Sequence, residues 1–255
     1  MPENEPLLFL KALKEDGIEH VHVSPGSSHS VILSREAAKN LERDPSPSTG
    51  LRTTERGAVP QSVAGSQFSE SEIQTLRDTV LKCKLCAELA KTRKKVVFGS
   101  GDLRAKLVFV GEAPGADEDE QGLPFVGRAG QLLTKIIEAM GMTRDQVFIC
   151  NVLKCRPPNN RPPAPGEVAN CRPFLKRQIE LIRPKVIVAL GNHAVKALLQ
   201  TERGISGLRG TFQEYEGIPV MCTYHPAYLL RSPGEKRKVW EDMKKVIQLL
   251  ERSSE

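Results

Sequence analysis

The run Val108-Phe-Val-Gly-Glu-Ala-Pro-Gly-Ala-Asp-Glu-Asp-Glu-Gln-Gly-Leu-Pro-Phe-Val-Gly-Arg-Ala-Gly-Gln-Leu-Leu133 decides how this chain is read. An apolar segment closes at Val110. An acidic, glycine-rich loop spans 111–127, and a helical pattern begins near Ala129. Strand, loop and helix in that order open an α/β unit, and in open α/β sheets ligands bind outside the carboxyl ends of the strands. The loop is the expected substrate site. Its glycines hint at phosphate binding, but the spacing fits neither G-x-G-x-x-G nor a P-loop, and its five acids would repel a phosphate.

Outward from this stretch, further strands are expected at 147–152, 186–190, 213–215 and 220–223, with the first at 107–111. Helical spacing of apolar residues falls at 129–140, 166–182, 193–200 and 235–252. Ile73, Leu76, Val80, Leu81, Leu85 and Leu89 predict one more helix to about Lys91, started by Ser69-Glu-Ser-Glu72. Strands alternating with helices predict a three-layer α/β/α fold on a central, mostly parallel sheet. There is no internal repeat.

Residues 1–68 read differently. Ser, Pro, Gly and Thr dominate 44–65, and so little apolar surface does not offset the entropy of ordering. A mostly disordered extension is expected, with helical turns at 6–14 and 31–41; His20, His22 and His29 are expected to be solvated. The globular domain is expected over 69–255. Residues 1–70 carry seven basic and ten acidic side chains, leaving 30 basic against 21 acidic on the remainder. A basic body suits a polyanionic partner. No apolar run approaches the ~20 residues of a membrane span, and no secretory leader is evident. A soluble cytoplasmic monomer is expected.

Six cysteines in a chain of 255 residues do not suggest a secreted disulfide scaffold. Cys150 and Cys222 sit in apolar strands as buried thiols. Cys83 and Cys86 form a C-x2-C pair in the first helical pattern; Cys155 and Cys171 follow at wider, irregular spacing. Structural zinc, a redox C-x-x-C and an iron–sulfur cluster all remain open on spacing. Either metal would staple the first helix to the loop Arg156–Pro165, which has five prolines and little apolar content.

Four motifs stand in order with these cysteines: Gly111-Glu-Ala-Pro-Gly115, Gly122-Leu-Pro-Phe-Val-Gly-Arg-Ala-Gly130, Asn151-Val-Leu-Lys-Cys-Arg-Pro-Pro158 and His225-Pro-Ala-Tyr-Leu-Leu-Arg231. Together they closely resemble the family 4, iron–sulfur, uracil-DNA glycosylases, from about Ser69 to the C-terminus. The resemblance implies a 4Fe–4S cluster on Cys83, Cys86, Cys155 and Cys171. It also implies hydrolysis of the deoxyribose–uracil bond in single- or double-stranded DNA, initiating base-excision repair.

On this resemblance Asn151 reads uracil O4 and N3–H, since an amide both donates and accepts. Phe125 stacks on the flipped base. His225 donates to uracil O2 as charge develops there. Glu112 and Glu118 are the candidate catalytic carboxylates, with Ala113 and Gly115 beside them. Ala113 occupies a position where the superfamily's best-known branch has an aspartate that orients water, so catalysis should rest on leaving-group stabilisation. Glu118 is expected to help exclude thymine's methyl. Leu229 or Leu230 fills the gap left by the base, and Arg231 pairs with phosphate. Arg156, Arg161 and Lys236 to Lys238 are further phosphate candidates. A related branch instead traps uracil-DNA covalently through a histidine in a basic insertion. The loop at 156–165 has neither the histidine nor the insertion, so turnover is expected.

Overall fold

A computed structural model describes residues 70–252. The readings placed on 1–68, including the three histidines and the Ser69 cap, lie outside the described residues.

The central strand β2 (Leu107–Gly111) is buried along its whole length. Leu107 and Phe109 face one apolar cluster, Val108 and Val110 the other. A strand covered on both faces reads as a continuous apolar run, which is why the sequence announces it. It lies in a six-stranded sheet with β1 (Ser100–Gly101), β3 (Phe148–Asn151), β4 (Val186–Leu190), β5 (Phe212–Tyr215) and β6 (Ile218–Thr223), in spatial order β1-β3-β2-β4-β6-β5. The four inner strands are parallel, and the edge strands β1 and β5 run antiparallel. The mostly parallel sheet is therefore present, with a two-residue edge strand that the sequence does not signal.

One face carries α4 (Arg128–Ala139) and α9 (Lys236–Arg252). Leu133, Ile136 and Ile137 of the first and Val239, Met243 and Val246 of the second complete one cluster with Phe109. The other face carries α1 (Glu70–Leu81), α5 (Pro165–Ile182) and α6 (Asn192–Leu199), whose Ile73, Val80, Leu175, Ile179 and Val195 pack on Val108 and Val110. Phe109 is 0 % exposed at the sheet's centre. Its replacement by alanine is expected to cost about 3–5 kcal/mol, measured as a lowered urea midpoint.

Three local readings change. The first helical pattern breaks: α1 ends at Leu81 and α2 (Ala87–Thr92) begins after the C-x2-C pair, leaving Leu81 and Leu85 44 % and 62 % exposed. Cys83 and Cys86 thus lie in a break between helices, not inside one. The loop 111–127 contains α3 (Ala116–Gln121), whose acids Asp117, Glu118 and Asp119 suit a helix N-terminus. The turn after β6 is α8 (Pro226–Arg231), with His225 as its N-cap. A four-residue helix, α7 (Ile205–Leu208), completes the set.

The chain leaves β2 for β3 on one side, then crosses back over to β4 on the other. This is a topological switch point, where an open α/β sheet forms a ligand crevice. The register places Gly111 beside Asn151 and Leu190 beside Thr223. The carboxyl ends that carry the sequence motifs therefore meet at one edge.

Candidate active site

A cleft of about 500 Å³ opens at that edge. Glu112, Ala113, Gly115, Glu118, Phe125, Asn151, His225 and Arg231 line it together. Leu229 does not: it is 0 % exposed and packs in the core. Leu230, 39 % exposed, is the outward-facing leucine of the pair. Tyr228 also lines the cleft and is 37 % exposed. Its only signal in the sequence was an aromatic inside the His225 motif.

Asn151 ends β3 at the cleft and is 2 % exposed. Its Oδ1 is buried with no hydrogen-bond partner. Leaving such an oxygen unpaired costs about 1–3 kcal/mol. Gly111 makes room for it. A Cβ there would lie 2.3 Å from Asn151 Oδ1 and 2.6 Å from Phe125 Cζ. Gly111→Ala is expected to displace both groups and lower the rate of the cleft's reaction about 100-fold. Single-turnover kinetics checks this, with circular dichroism unchanged.

Phe125 has φ 52°, a left-handed conformation that costs a non-glycine residue strain. The chain is fixed on either side. Arg144 Nη2 donates to Pro124 O at 2.9 Å, and Val126 N–H donates to Glu118 Oε1 at 2.8 Å. The Phe125 ring sits 5.5 Å from the His225 ring, tilted by 30°. Glu118 accepts two further amides, Gly127 N–H at 3.1 Å and Gly115 N–H at 3.1 Å. Its carboxylate is the knot that ties both ends of the acidic loop. Asp119, 2 % exposed, likewise accepts from Lys94 N–H at 3.0 Å.

His225 caps α8: its Nδ1 accepts the Ala227 N–H at 3.1 Å. An accepting Nδ1 carries no proton, so the neutral ring holds its proton on Nε2. Burial, with Arg231 nearby, pushes the ring's pKa down to about 4. The cleft thus contains a neutral imidazole whose remaining donor is Nε2–H. Gly191, at φ 87°, keeps the space beside it, since a Cβ there would fall 2.9 Å from His225 Cβ. Glu112 is half-buried, and burial raises its carboxyl above the usual range, opposed by His193.

Arg161 lines the cleft but is not a free cation. It pairs with Glu167 Oε1 at 2.6 Å and Glu88 Oε2 at 2.6 Å, pinning the proline-rich loop to α5 and α2. These pairs give Arg161 a part in holding the loop beside the cleft. Arg156 donates from Nε to Asn160 Oδ1 at 2.8 Å, and Lys238 pairs with Glu235.

Cys83, Cys86, Cys155 and Cys171 line one small cavity with Arg93, Lys154 and Asn170. Arg93 Nη1 donates to Cys155 Sγ at 2.9 Å and its Nη2 to Cys83 O at 2.6 Å. Asn170 Nδ2 contacts Cys86 Sγ at 3.5 Å. Burial raises the Cys155 thiol and takes Cys171 to about 11. Buried thiols of that kind are poor redox nucleophiles. A helix rather than a strand precedes the C-x2-C pair, which also disfavours the redox reading. Donors aimed at sulfur suit thiolates made by metal binding, which deprotonates them outright. Among the described residues, no group of three or more His, Cys, Asp or Glu is arranged for a metal ion. Cys150 and Cys222 stand apart as buried thiols raised by burial.

Lys154 escaped the sequence reading altogether. It is 1 % exposed, and its Nζ donates to Asn151 O at 2.7 Å and Gln178 Oε1 at 2.5 Å.

The family model of the uracil DNA glycosylase superfamily matches residues 98–244. The Type-4 uracil-DNA glycosylase of Sulfurisphaera tokodaii is 45 % identical over 187 residues, 69 % of this chain and 84 % of that protein. That of Thermotoga maritima is 46 % identical over 180 residues, 69 % of this chain and 93 % of its own. The Type-5 uracil-DNA glycosylase of Pyrobaculum aerophilum is more distant, at 35 % over 151 residues, 52 % of this chain and 66 % of that protein. The motifs that line the cleft, the switch-point sheet that carries them and these matches agree: the chain belongs to the type-4 uracil-DNA glycosylases.

Proposed function

We propose that this protein is a uracil-DNA glycosylase that hydrolyses the N-glycosidic bond of uracil in DNA, leaves an abasic site and so initiates base-excision repair. The observation that carries this reading is the buried, unpartnered Asn151 Oδ1 on the wall of the cleft. It is a ready acceptor for uracil N3–H, while the same amide donates to O4. Cytosine presents the opposite pattern at those atoms and would leave both groups unpaired.

The target base leaves the stack at a cost of roughly a few kcal/mol and enters the cleft. Phe125 supplies the stacking face. The C1′–N1 bond breaks with its electron pair moving to uracil, and His225 Nε2–H meets the charge that gathers on O2. A water adds to C1′ and gives its proton to Glu112, the half-buried carboxylate of the cleft. Ala113, next along the loop, offers no carboxylate of its own. Glu118 lies over Gly115, where a Cβ would be 2.6 Å from Glu118 Oε2. It therefore fills the side of the pocket that thymine's methyl would need. Leu230 is the wedge, in preference to the buried Leu229, and Arg231 is the phosphate contact.

A 4Fe–4S cluster on Cys83, Cys86, Cys155 and Cys171 would anchor the break between α1 and α2 to α5 and to the proline-rich loop. The cluster would be held by these four thiolates and would act there as a structural anchor for segments with little apolar content. Four cysteines lining one small cavity supply the all-thiolate donor set that such a cluster uses. Purified protein is expected to show visible absorption and about four irons per chain, and Cys171→Ser to lose both with a lowered Tm. A colourless protein holding one zinc would contradict this.

The substrate is uracil-containing DNA, single- or double-stranded, met by a monomeric domain of residues 69–255 in the cytoplasm. No helix among the described residues is long and apolar enough to cross a membrane. The test is incubation with a uracil-containing oligonucleotide followed by alkali. Cleavage at the uracil position supports the reading. An intact strand, or an adduct that survives denaturant, contradicts it.

A further inference from the structure

Lys154 is an anomaly that the chemistry above does not use. A lysine buried to 1 % exposure ordinarily has a carboxylate partner. This one has two neutral acceptors instead, Asn151 O and Gln178 Oε1. Gln178 is itself 0 % exposed and donates from Nε2 to Phe98 O at 2.9 Å. The backbone repeats the link, because Val97 N–H donates to Lys154 O at 2.8 Å. The result is a strut from the 97–98 segment through α5 to the last residue of β3.

The strut ends on the residue whose side chain faces the cleft. Beyond Asn151 the chain continues to pair with the loop after β2: Val152 N–H donates to Gly111 O at 2.9 Å and Leu153 N–H to Glu112 O at 3.0 Å. These bonds hold the following peptides, and Lys154 holds the Asn151 carbonyl. The middle of the strut touches the cysteine cavity. Lys154 lines it and precedes Cys155, and Gln178 lies two helical turns beyond Cys171 on α5.

We propose that Lys154 is a positioning residue for uracil readout, fixing the Asn151 peptide from the Gln178 anchor and linking its aim to the cysteine-bearing segments. The inference rests on the glycosylase reading above. It is distinguished from simple core filling by what it acts through. A strut for Asn151 matters only while Asn151 has an amide to aim.

The experiment is a double-mutant cycle with Lys154→Met and Asn151→Ala, in protein purified with its bound metal. K154M is expected to lower the single-turnover excision rate about tenfold or more and to weaken inhibition by free uracil to a similar degree. Affinity for abasic DNA and iron content should stay at wild-type values. In the N151A background, K154M should change the rate less than about twofold. Rate losses that multiply in the double variant, a parallel loss of abasic-DNA affinity, loss of iron, or an unaffected K154M would each overturn the proposal. Should K154M not fold, Gln178→Met carries the same cycle, since it keeps the lysine and removes only its anchor. If the wild-type protein excises no uracil, the glycosylase reading fails rather than this one.

Discussion

His225→Ala is expected to reduce uracil excision about 100- to 1,000-fold, the range for losing one preorganised donor to a developing oxyanion. The loss should appear in the single-turnover rate, with DNA affinity little changed, because the donor works hardest when charge has moved to O2. The same geometry fixes the protonation state. Nδ1 is spent on the Ala227 amide and burial holds the ring's pKa near 4, so the imidazole acts as a neutral donor. Nitrogen NMR is expected to show an Nε2–H tautomer that does not titrate between pH 8 and about 5. Stability follows with a definite sign. An unfolded histidine titrates near 6.5 and the folded ring near 4. Between those values the unfolded chain binds a proton that the native chain lacks, so stability is complete above 6.5 and declines as pH falls toward 4. H225A should flatten that part of the stability–pH curve. An imidazolium signal at neutral pH would contradict the donor assignment.

Asn151→Ala is expected to be at least as damaging, at about 1,000-fold or more in excision. A pocket that reads its substrate by hydrogen bonds discriminates strongly when they are missing, by up to about 10⁴–10⁵. Truncation removes the acceptor for N3–H and the donor to O4 together. Inhibition by free uracil should vanish in step, while abasic DNA, which lacks the base, should bind as before. Asn151→Asp separates the two contacts. It keeps an acceptor for N3–H but sets a carboxylate against O4, so it should also lose uracil excision. Unchanged excision in either variant would remove Asn151 from the pocket.

The sheet was largely legible in the sequence because its inner strands are covered on both faces. Val108-Phe-Val110 and Val186–Leu190 have no polar side to break the run. The site was legible for a different reason: the motif residues lie at strand ends, and parallel register brings strand ends together. What was not legible depends on tertiary partners. Helical spacing ran through Leu81 and Leu85, yet both are exposed, because the cysteine segment turns out of the helix there. The six residues of α3 carry no apolar stripe, so only the acids before Gly122, a left-handed C-cap, could have signalled a helix. Arg161 was one basic residue among many until Glu88 and Glu167 claimed it. Lys154 was hidden by the ordinary expectation that lysines face water. Its position between Asn151 and Cys155, in a segment buried throughout, was the available clue.

The cleft at the switch point is proposed to hold a uracil flipped from DNA and read by Asn151 and His225. Two oligonucleotides that differ only in uracil or thymine at one position test it most directly. The wild-type protein should release free uracil and an equal amount of abasic sites from the first and nothing from the second, and N151A should release neither. Release of thymine at a comparable rate, or uracil release undiminished in N151A, would contradict the account.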